Sequence, residues 1–184
     1  MIMKLRQPDI DALNTTAADL KIPVAWLVAL INFETAGTFD PLVKNPLSSA
    51  RGLIQFTNAT ASRLGYRDSL ELVTRNPSIS SQLRGPVLQY LKPMGPFRNK
   101  QDFVFSVFLP KYRTAPLSAK IVFPDALQQA NFSKSNPGIV TVGDYFAKLE
   151  RAFERASGKF PVAVGAGIVA ILLLGGIVWV ITKG

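Results

Sequence analysis

The chain has 184 residues and a formal net charge of +9, from 21 Lys and Arg against 12 Asp and Glu, and it contains neither His nor Cys. Their absence excludes disulfides, Ser-His triads, Cys nucleophiles and the usual zinc sites, so acid/base chemistry near neutral pH falls to carboxylates. The length allows one compact domain with an appendage, and the basic balance favours an anionic partner, although a merely solubilising surface is an equal alternative.

The N-terminal half of the chain is typical of helices joined at Pro and Gly. The first residues, MIMKLRQPDIDAL, lack the apolar core of a secretory signal, so no export signal is expected. The two prolines and the serine pair in 38–51 predict an ordered loop. Helices are predicted over 8–20, 23–35, 58–65, 69–75 and 79–91.

The second half of the soluble part contains one ambiguous segment. A turn is predicted over 92–99, and DFVFSVFLP (102–110) fits either a strand or a buried helix that ends before Pro110. We favour the helix. A loop is predicted over 133–138 and a last soluble helix over 142–156. The spacing of residues 133–144 resembles an EF-hand loop, but Ser and Pro stand at its ligand positions, so we expect no metal site and no cofactor.

The C-terminal segment predicts a membrane anchor. Residues 160–182 contain no charge, and about 20 apolar residues suffice to cross a bilayer, whereas buried core helices rarely exceed about 14. Basic residues precede the span at Arg151, Arg155 and Lys159, and only Lys183 follows it. This bias places residues 1–159 on the cytoplasmic side or inside a particle. We therefore expect a mainly α domain over 1–156, a linker over 157–159 and one transmembrane helix.

Glu34 stands where an apolar residue is expected. Leu27, Leu30 and Ile31 follow the i, i+3, i+4 spacing of a core-facing stripe, and Glu34 continues it seven residues after Leu27. Desolvation there would raise the pKa of the carboxyl, as a general acid requires. The alternatives are a glutamate that ends the helix and turns to solvent, or one that pairs with an Arg.

The residues around Glu34 form an ordered series of short motifs. In order and spacing they resemble the lytic transglycosylase family of lysozyme-like enzymes, particularly its bacteriophage members. The resemblance covers about residues 20–66, with a looser likeness at Tyr90-Leu91, 108–110 and 136–146. The motifs are Glu34-Thr35, Phe39-Asp40-Pro41, Gly52-Leu53-Ile54-Gln55-Phe56, Thr60-Ala61 and Leu64-Gly65.

The resemblance implies a lysozyme-like fold and a reaction. Glu34 would protonate the glycosidic oxygen after N-acetylmuramic acid, and its carboxylate would then help the C6 hydroxyl of that sugar attack C1, giving a 1,6-anhydro product. A hydrolase is the alternative, in which Asp40 or another acid would hold a water; we interpret Asp40, followed by Pro41, as a turn residue.

The resemblance also suggests substrate-binding residues. Gly52 allows close approach of backbone or substrate, and Gln55 offers a donor and an acceptor to a sugar. Ser49 is favoured over Ser48 as a hydroxyl beside Glu34 or substrate. The chain lacks the A-Y-N segment whose tyrosine contacts the catalytic glutamate in many relatives. The remaining candidates are Phe56 for substrate, and Tyr112, less favoured Tyr90, for the missing hydroxyl.

The predicted partners are peptidoglycan strands and a lipid membrane through residues 160–182. A cell-wall enzyme without an export signal suits a phage virion with an internal membrane, where other membrane or capsid proteins become partners and the enzyme aids genome delivery. A bacterial or prophage protein held domain-out is less favoured. The alternative is a catalytically inactive, membrane-anchored virion protein. In that case the basic region 84–120 could contact nucleic acid, which is otherwise not an expected partner.

Overall fold

The computed structural model describes residues 5–157, which are mainly helical, as predicted. No β-strand forms within this range, only isolated bridges such as Arg51 with Phe56. The helices are α1 (Gln7–Leu20), α2 (Val24–Glu34), α3 (Asn58–Arg63), α4 (Ser69–Arg75), α5 (Ile79–Gln82), α6 (Leu88–Leu91), α7 (Lys100–Phe108), α8 (Ala126–Ser135) and α9 (Val142–Ser157), with a π turn at Leu83–Val87 and 3-10 turns at Lys92–Met94 and Pro110–Tyr112.

Helix α2 is the centre of the core. Leu27, Leu30 and Ile31 are fully buried, as their spacing predicts, and α2 packs against both α1 and α9. Burial of each such side chain contributes about 1.5–3 kcal/mol. After Glu34 the chain turns through Gly37 (φ 82°), whose N–H donates to the carbonyl of Asn32 at 2.8 Å. The loop that follows therefore starts at a fixed angle to the helix.

Residues 102–108 form the largely buried helix that we favoured, which ends before Pro110 as predicted. Asn99 caps α7 by accepting from the N–H of Asp102 at 2.9 Å. The buried Asp102 carboxylate accepts from the Nε of Arg98 at 3.0 Å and from the Nε of Arg113. These polar contacts fix the start of a helix whose Phe and Val content alone would suit a strand equally well.

The helix predicted over 79–91 is interrupted, so the prediction was wrong about its continuity. Gly85 adopts non-helical angles (φ −103°, ψ −108°) between α5 and α6. Pro86 follows it, and proline has no N–H to donate to the preceding turn and clashes with the carbonyl four residues earlier. The chain therefore passes through a π turn, and the axis is broken before Tyr90.

The loop predicted over 133–138 begins later, because α8 continues to Ser135. The sequence reasoning missed this helix. Most of its side chains are exposed, so it has only a weak apolar stripe. Its one local signal is Asp125, whose carboxylate caps the helix by accepting from the N–H of Gln128 at 2.7 Å.

A single buried amide holds the loops between α2 and α6 together. The Oε1 of Gln82 accepts from the N–H of Leu53 at 2.9 Å, and its Nε2 donates to the carbonyls of Asn76 at 3.0 Å and Pro41. Gln82 is completely buried. Gly52 lies against it: a Cβ on Gly52 would come within 2.7 Å of the Oε1. Gln82 thus fixes two parts of the loop between α2 and α3, at Pro41 and at Leu53, relative to each other.

The predicted linker 157–159 and membrane span 160–182 fall almost entirely outside the described residues. Within 5–157, no helix is by itself long and apolar enough to cross a bilayer. Helices α1 and α2 meet that criterion only when taken together, and the chain bends by 115° between them.

Replacement of Gln82 by Leu should destabilise the domain by about 3 kcal/mol, because a buried N–H and two carbonyls lose their partner. Urea unfolding of the purified protein, followed by circular dichroism, measures this loss. Gln128→Leu is the matched control, because Gln128 is exposed on α8, and its effect should stay within about 0.5 kcal/mol. Equal losses in the two variants would contradict the role given to Gln82.

Candidate functional site

Glu34 is the last residue of α2, and its carboxyl is largely desolvated. Burial raises the pKa of Glu34 from 4.5 to about 7. Among the described residues its carboxylate has neither a hydrogen bond nor an ion pair. Of the three interpretations of the sequence, the geometry therefore fits the desolvated acid rather than a solvated helix end or an Arg partner. A carboxyl with a pKa near neutrality is able both to give and to take a proton.

Two tyrosines lie near Glu34. Burial raises the pKa of Tyr90, on α6; the positive charge of Arg63 opposes this rise, and the negative charge of Glu34 adds to it. Burial and then the charge of Glu34 raise the pKa of Tyr145, on α9. Neither hydroxyl has a hydrogen-bond partner within residues 5–157. Both O–H groups are therefore free to donate to the carboxylate or to a ligand.

Tyr145 was not among the residues singled out from the sequence. Its ring stacks on Phe105 of α7 at 6.0 Å and meets Phe132 of α8 at 5.5 Å. These contacts hold the ring in place while α9 packs against α2. The signal that would have found Tyr145 is the loose likeness over 136–146, which contains it.

Tyr112 does not supply the hydroxyl expected of it. Its O–H donates to the carbonyl of Val122 at 2.7 Å, and its oxygen accepts from the N–H of Val122 at 2.6 Å. The single donor of a tyrosine is thereby used. Tyr112 instead holds the loop before α8 in place. Of the two tyrosines considered from the sequence, the less favoured one, Tyr90, lies near Glu34.

The motif Gly52–Phe56 forms a tight hairpin. Arg51 and Phe56 exchange backbone hydrogen bonds of 3.0 and 2.8 Å. Gln55 adopts a positive φ of 53°, and its Nε2 donates to the carbonyl of Gly52 at 3.0 Å. The Oε1 of Gln55 therefore remains to accept from a sugar. The close approach at Gly52 is to Gln82 rather than to open space.

Phe56 lies behind the site. It is 2% exposed, and its ring meets Tyr90 edge-on at 6.1 Å and 82°. With so little surface, Phe56 supports the Tyr90 ring instead of offering a face to substrate. Aromatic pairs of this geometry contribute about 0.5–1.5 kcal/mol beyond their buried area.

The polar side chains of the loop after α2 form hydrogen bonds with nearby backbone groups. Ser49 is exposed, and its Oγ accepts from the N–H of Asn58 at 3.2 Å; the Oγ of Ser48 accepts from Ala50 at 3.2 Å. Neither hydroxyl contacts Glu34. Asp40 accepts from the N–H of Leu42 at 2.8 Å, the turn geometry that its sequence setting indicates. Between residues 5 and 157, no group of three or more Asp or Glu side chains is placed to hold a metal.

Comparison with known proteins gives no match, either to a protein-family model or to a curated protein. The resemblance to lytic transglycosylases and the lysozyme-like fold therefore stay predictions that depend on residues 20–66. Within residues 5–157, the groups available for chemistry at the site are the protonatable carboxyl of Glu34, the hydroxyls of two tyrosines without hydrogen-bond partners, and the amide oxygen of Gln55.

The burial of Glu34 predicts a specific pH dependence of stability. Its folded-state pKa of about 7 exceeds the value of 4.5 for an unburied carboxyl, so between these pH values the folded state binds more protons and stability falls as pH rises. Glu34→Gln should be more stable than the wild type by up to about 3 kcal/mol at pH 8 and closely similar at pH 4. Urea unfolding at the two pH values tests this. A difference that does not change with pH would exclude the raised pKa.

Proposed function

We propose that this protein is a peptidoglycan lytic transglycosylase that cleaves the glycosidic bond after N-acetylmuramic acid, with Glu34 as its acid and base. The observation that carries the proposal is the desolvated Glu34 carboxyl, with a pKa of about 7, near two tyrosines whose hydroxyls have no hydrogen-bond partner among residues 5–157. The motif resemblance supplies the substrate class. The charge of +9 suits a carboxylate-bearing polymer.

In the proposed reaction, protonated Glu34 donates its proton to the glycosidic oxygen as the bond from C1 to that oxygen breaks. The Glu34 carboxylate then accepts the proton of the C6 hydroxyl, whose oxygen attacks C1 and closes the 1,6-anhydro ring. The N-acetyl group of the same sugar stabilises positive charge at C1 between the two steps. Glu34 ends protonated, the leaving sugar carries a new hydroxyl, and no water is consumed.

A single carboxyl suffices for this reaction. Most glycoside hydrolases use a second carboxylate, about 5–9.5 Å from the first, as nucleophile or base. The nearest candidate in the motif, Asp40, accepts the N–H of Leu42 in its own turn. This bond places Asp40 in a turn, as its sequence setting predicts, and the proposed intramolecular attack needs no second carboxylate.

The two tyrosines give the carboxylate the stabilisation that burial removes. Desolvation disfavours the charged form of Glu34, whereas a donated O–H favours it. Tyr90 and Tyr145 therefore act on the second half of the reaction, in which the carboxylate must persist until the C6 hydroxyl attacks. The proposed setting is the internal membrane of a phage particle, with residues 160–182 as anchor.

Digestion of purified sacculi by the full-length protein in detergent, followed by mass spectrometry of the products, tests the proposal. We expect anhydromuramic acid ends and a loss of about 10²–10⁴-fold in rate for Glu34→Gln. The matched control is Glu71→Gln on α4, which should keep wild-type activity. Hydrated reducing ends would instead identify the activity as that of a muramidase, which is a hydrolase. Full activity in Glu34→Gln would exclude Glu34, and inactivity of the wild type on several peptidoglycan types would favour the structural virion protein.

Loss of either tyrosine hydroxyl should alter the rate and its pH profile. Tyr145→Phe and Tyr90→Phe should each lower kcat by about tenfold, since one charge-assisted hydrogen bond contributes about 1.5 kcal/mol. The alkaline limb of the profile should move to higher pH, because a carboxylate with fewer donors has a higher pKa. Tyr112→Phe, the control, should leave the profile unchanged while reducing stability. A profile that moves only in Tyr112→Phe would reverse the assignment.

A further inference from the structure

The segment between the Asp40 turn and α4 has one sign of charge. Residues 41–67 contain no Asp or Glu and four basic residues, Lys44, Arg51, Arg63 and Arg67. The Nε of Arg67 pairs with Asp68 at 3.1 Å. In the described part of the chain, the other three form no ion pair. The segment that contains the Gly52–Phe56 hairpin therefore carries three cations that form no ion pair with any acid among residues 5–157.

Arg63 is the member of this set whose charge acts on a residue of the candidate site, Tyr90. It is the last residue of α3, and the following carbonyl, of Leu64, accepts from the Nε2 of Gln89 at 3.4 Å. Gln89 directly precedes Tyr90 on α6, so the end of α3 lies beside that tyrosine. The positive charge of Arg63 acts on the pKa of Tyr90, as does the negative charge of Glu34.

The guanidinium of Arg63 is free to bind an anion. The side chain is exposed, and its Nη2 makes one long contact of 3.4 Å with the Oγ1 of Thr60. The planar donor fork of arginine matches a carboxylate in a bidentate arrangement. Such a contact also fixes the orientation of the ligand, which a lone ammonium does not do.

The substrate of the proposed reaction carries carboxylates on only one of its two sugars. Muramic acid has a lactyl group whose carboxylate is either free or extended by a stem peptide that ends in carboxylates. The alternating N-acetylglucosamine is neutral. A slip of the strand by one sugar would therefore place the wrong glycosidic bond at Glu34.

We propose that Arg63 binds the carboxylate carried by a muramic acid residue and so sets which glycosidic bond of the strand lies at Glu34. This inference rests on the proposed function and names the group by which that function selects its bond. The carboxylate is that of the lactyl group in peptide-free glycan or of the stem peptide in substituted glycan.

Binding measured by calorimetry in the inactive Glu34→Gln background tests the inference without catalysis. Three probes are compared: a peptide-free tetrasaccharide of alternating N-acetylglucosamine and muramic acid, the same tetrasaccharide with stem peptides, and the neutral tetramer of N-acetylglucosamine. Arg63→Gln should weaken at least one anionic probe by about tenfold and leave the neutral tetramer unchanged. Arg63→Lys should restore part of the loss. Arg67→Gln, the matched control, should change none of the three.

The outcomes separate the two sources of carboxylate. A loss confined to the peptide-free probe assigns the lactyl group, and a loss confined to the substituted probe assigns the stem peptide. Equal losses on neutral and anionic probes, no loss on any, or no binding of any probe at millimolar concentration would overturn the inference.

If the wild type releases anhydro products but Arg63→Gln binds every probe normally, the role of Arg63 is excluded and the proposed function stands. If binding depends on Arg63 but the wild type releases no product, the proposed activity is contradicted, whereas recognition of the carboxylate by Arg63 stands.

Discussion

The buried amide of Gln82 forms hydrogen bonds with three segments that have little regular structure of their own. One of them follows α2 directly, and another is the hairpin that contains Gln55. Because every polar atom of this amide is used, its loss would free both segments at once. Glu34 lies at the end of α2, whereas the hairpin that contains Gln55 depends on this interaction. The geometry of the candidate site is thus set from the interior of the domain.

The core also determines the chemistry of Glu34. Helix α2 is buried on the face that contains Leu27, Leu30 and Ile31, and the carboxyl continues that face to the surface. A carboxyl in this position reduces stability wherever it is ionised, and strongly perturbed acids are found most often at functional sites, where the chemistry requires the shifted pKa. Tyr90 and Tyr145 approach it from α6 and α9. Burial thus raises the pKa of the Glu34 carboxyl, and the two tyrosine hydroxyls are the nearby donors that could stabilise its ionised form.

The sequence predicted those features that depend on interactions between residues close together in the chain. The stripe on α2, the helix over 69–75 and the turn at Asp40 depend on spacing and side-chain type. Gln82, Tyr145 and the free guanidinium of Arg63 depend on which distant segments meet, and a polar residue in a helix does not indicate that by itself. Tyr112 was chosen by register, yet its hydroxyl is used by Val122. The break at Gly85 and Pro86 had a visible signal that the apolar pattern around it outweighed.

The contact between α2 and α9 has a consequence for how the site is made during synthesis. Glu34 is translated early, and Tyr145 follows only after more than one hundred further residues. A nascent chain that ends before α9 leaves one side of α2 open to water, where a carboxyl reverts toward its ordinary pKa. The burial that raises the pKa of Glu34 is therefore complete only when the last described helix has emerged from the ribosome and docked.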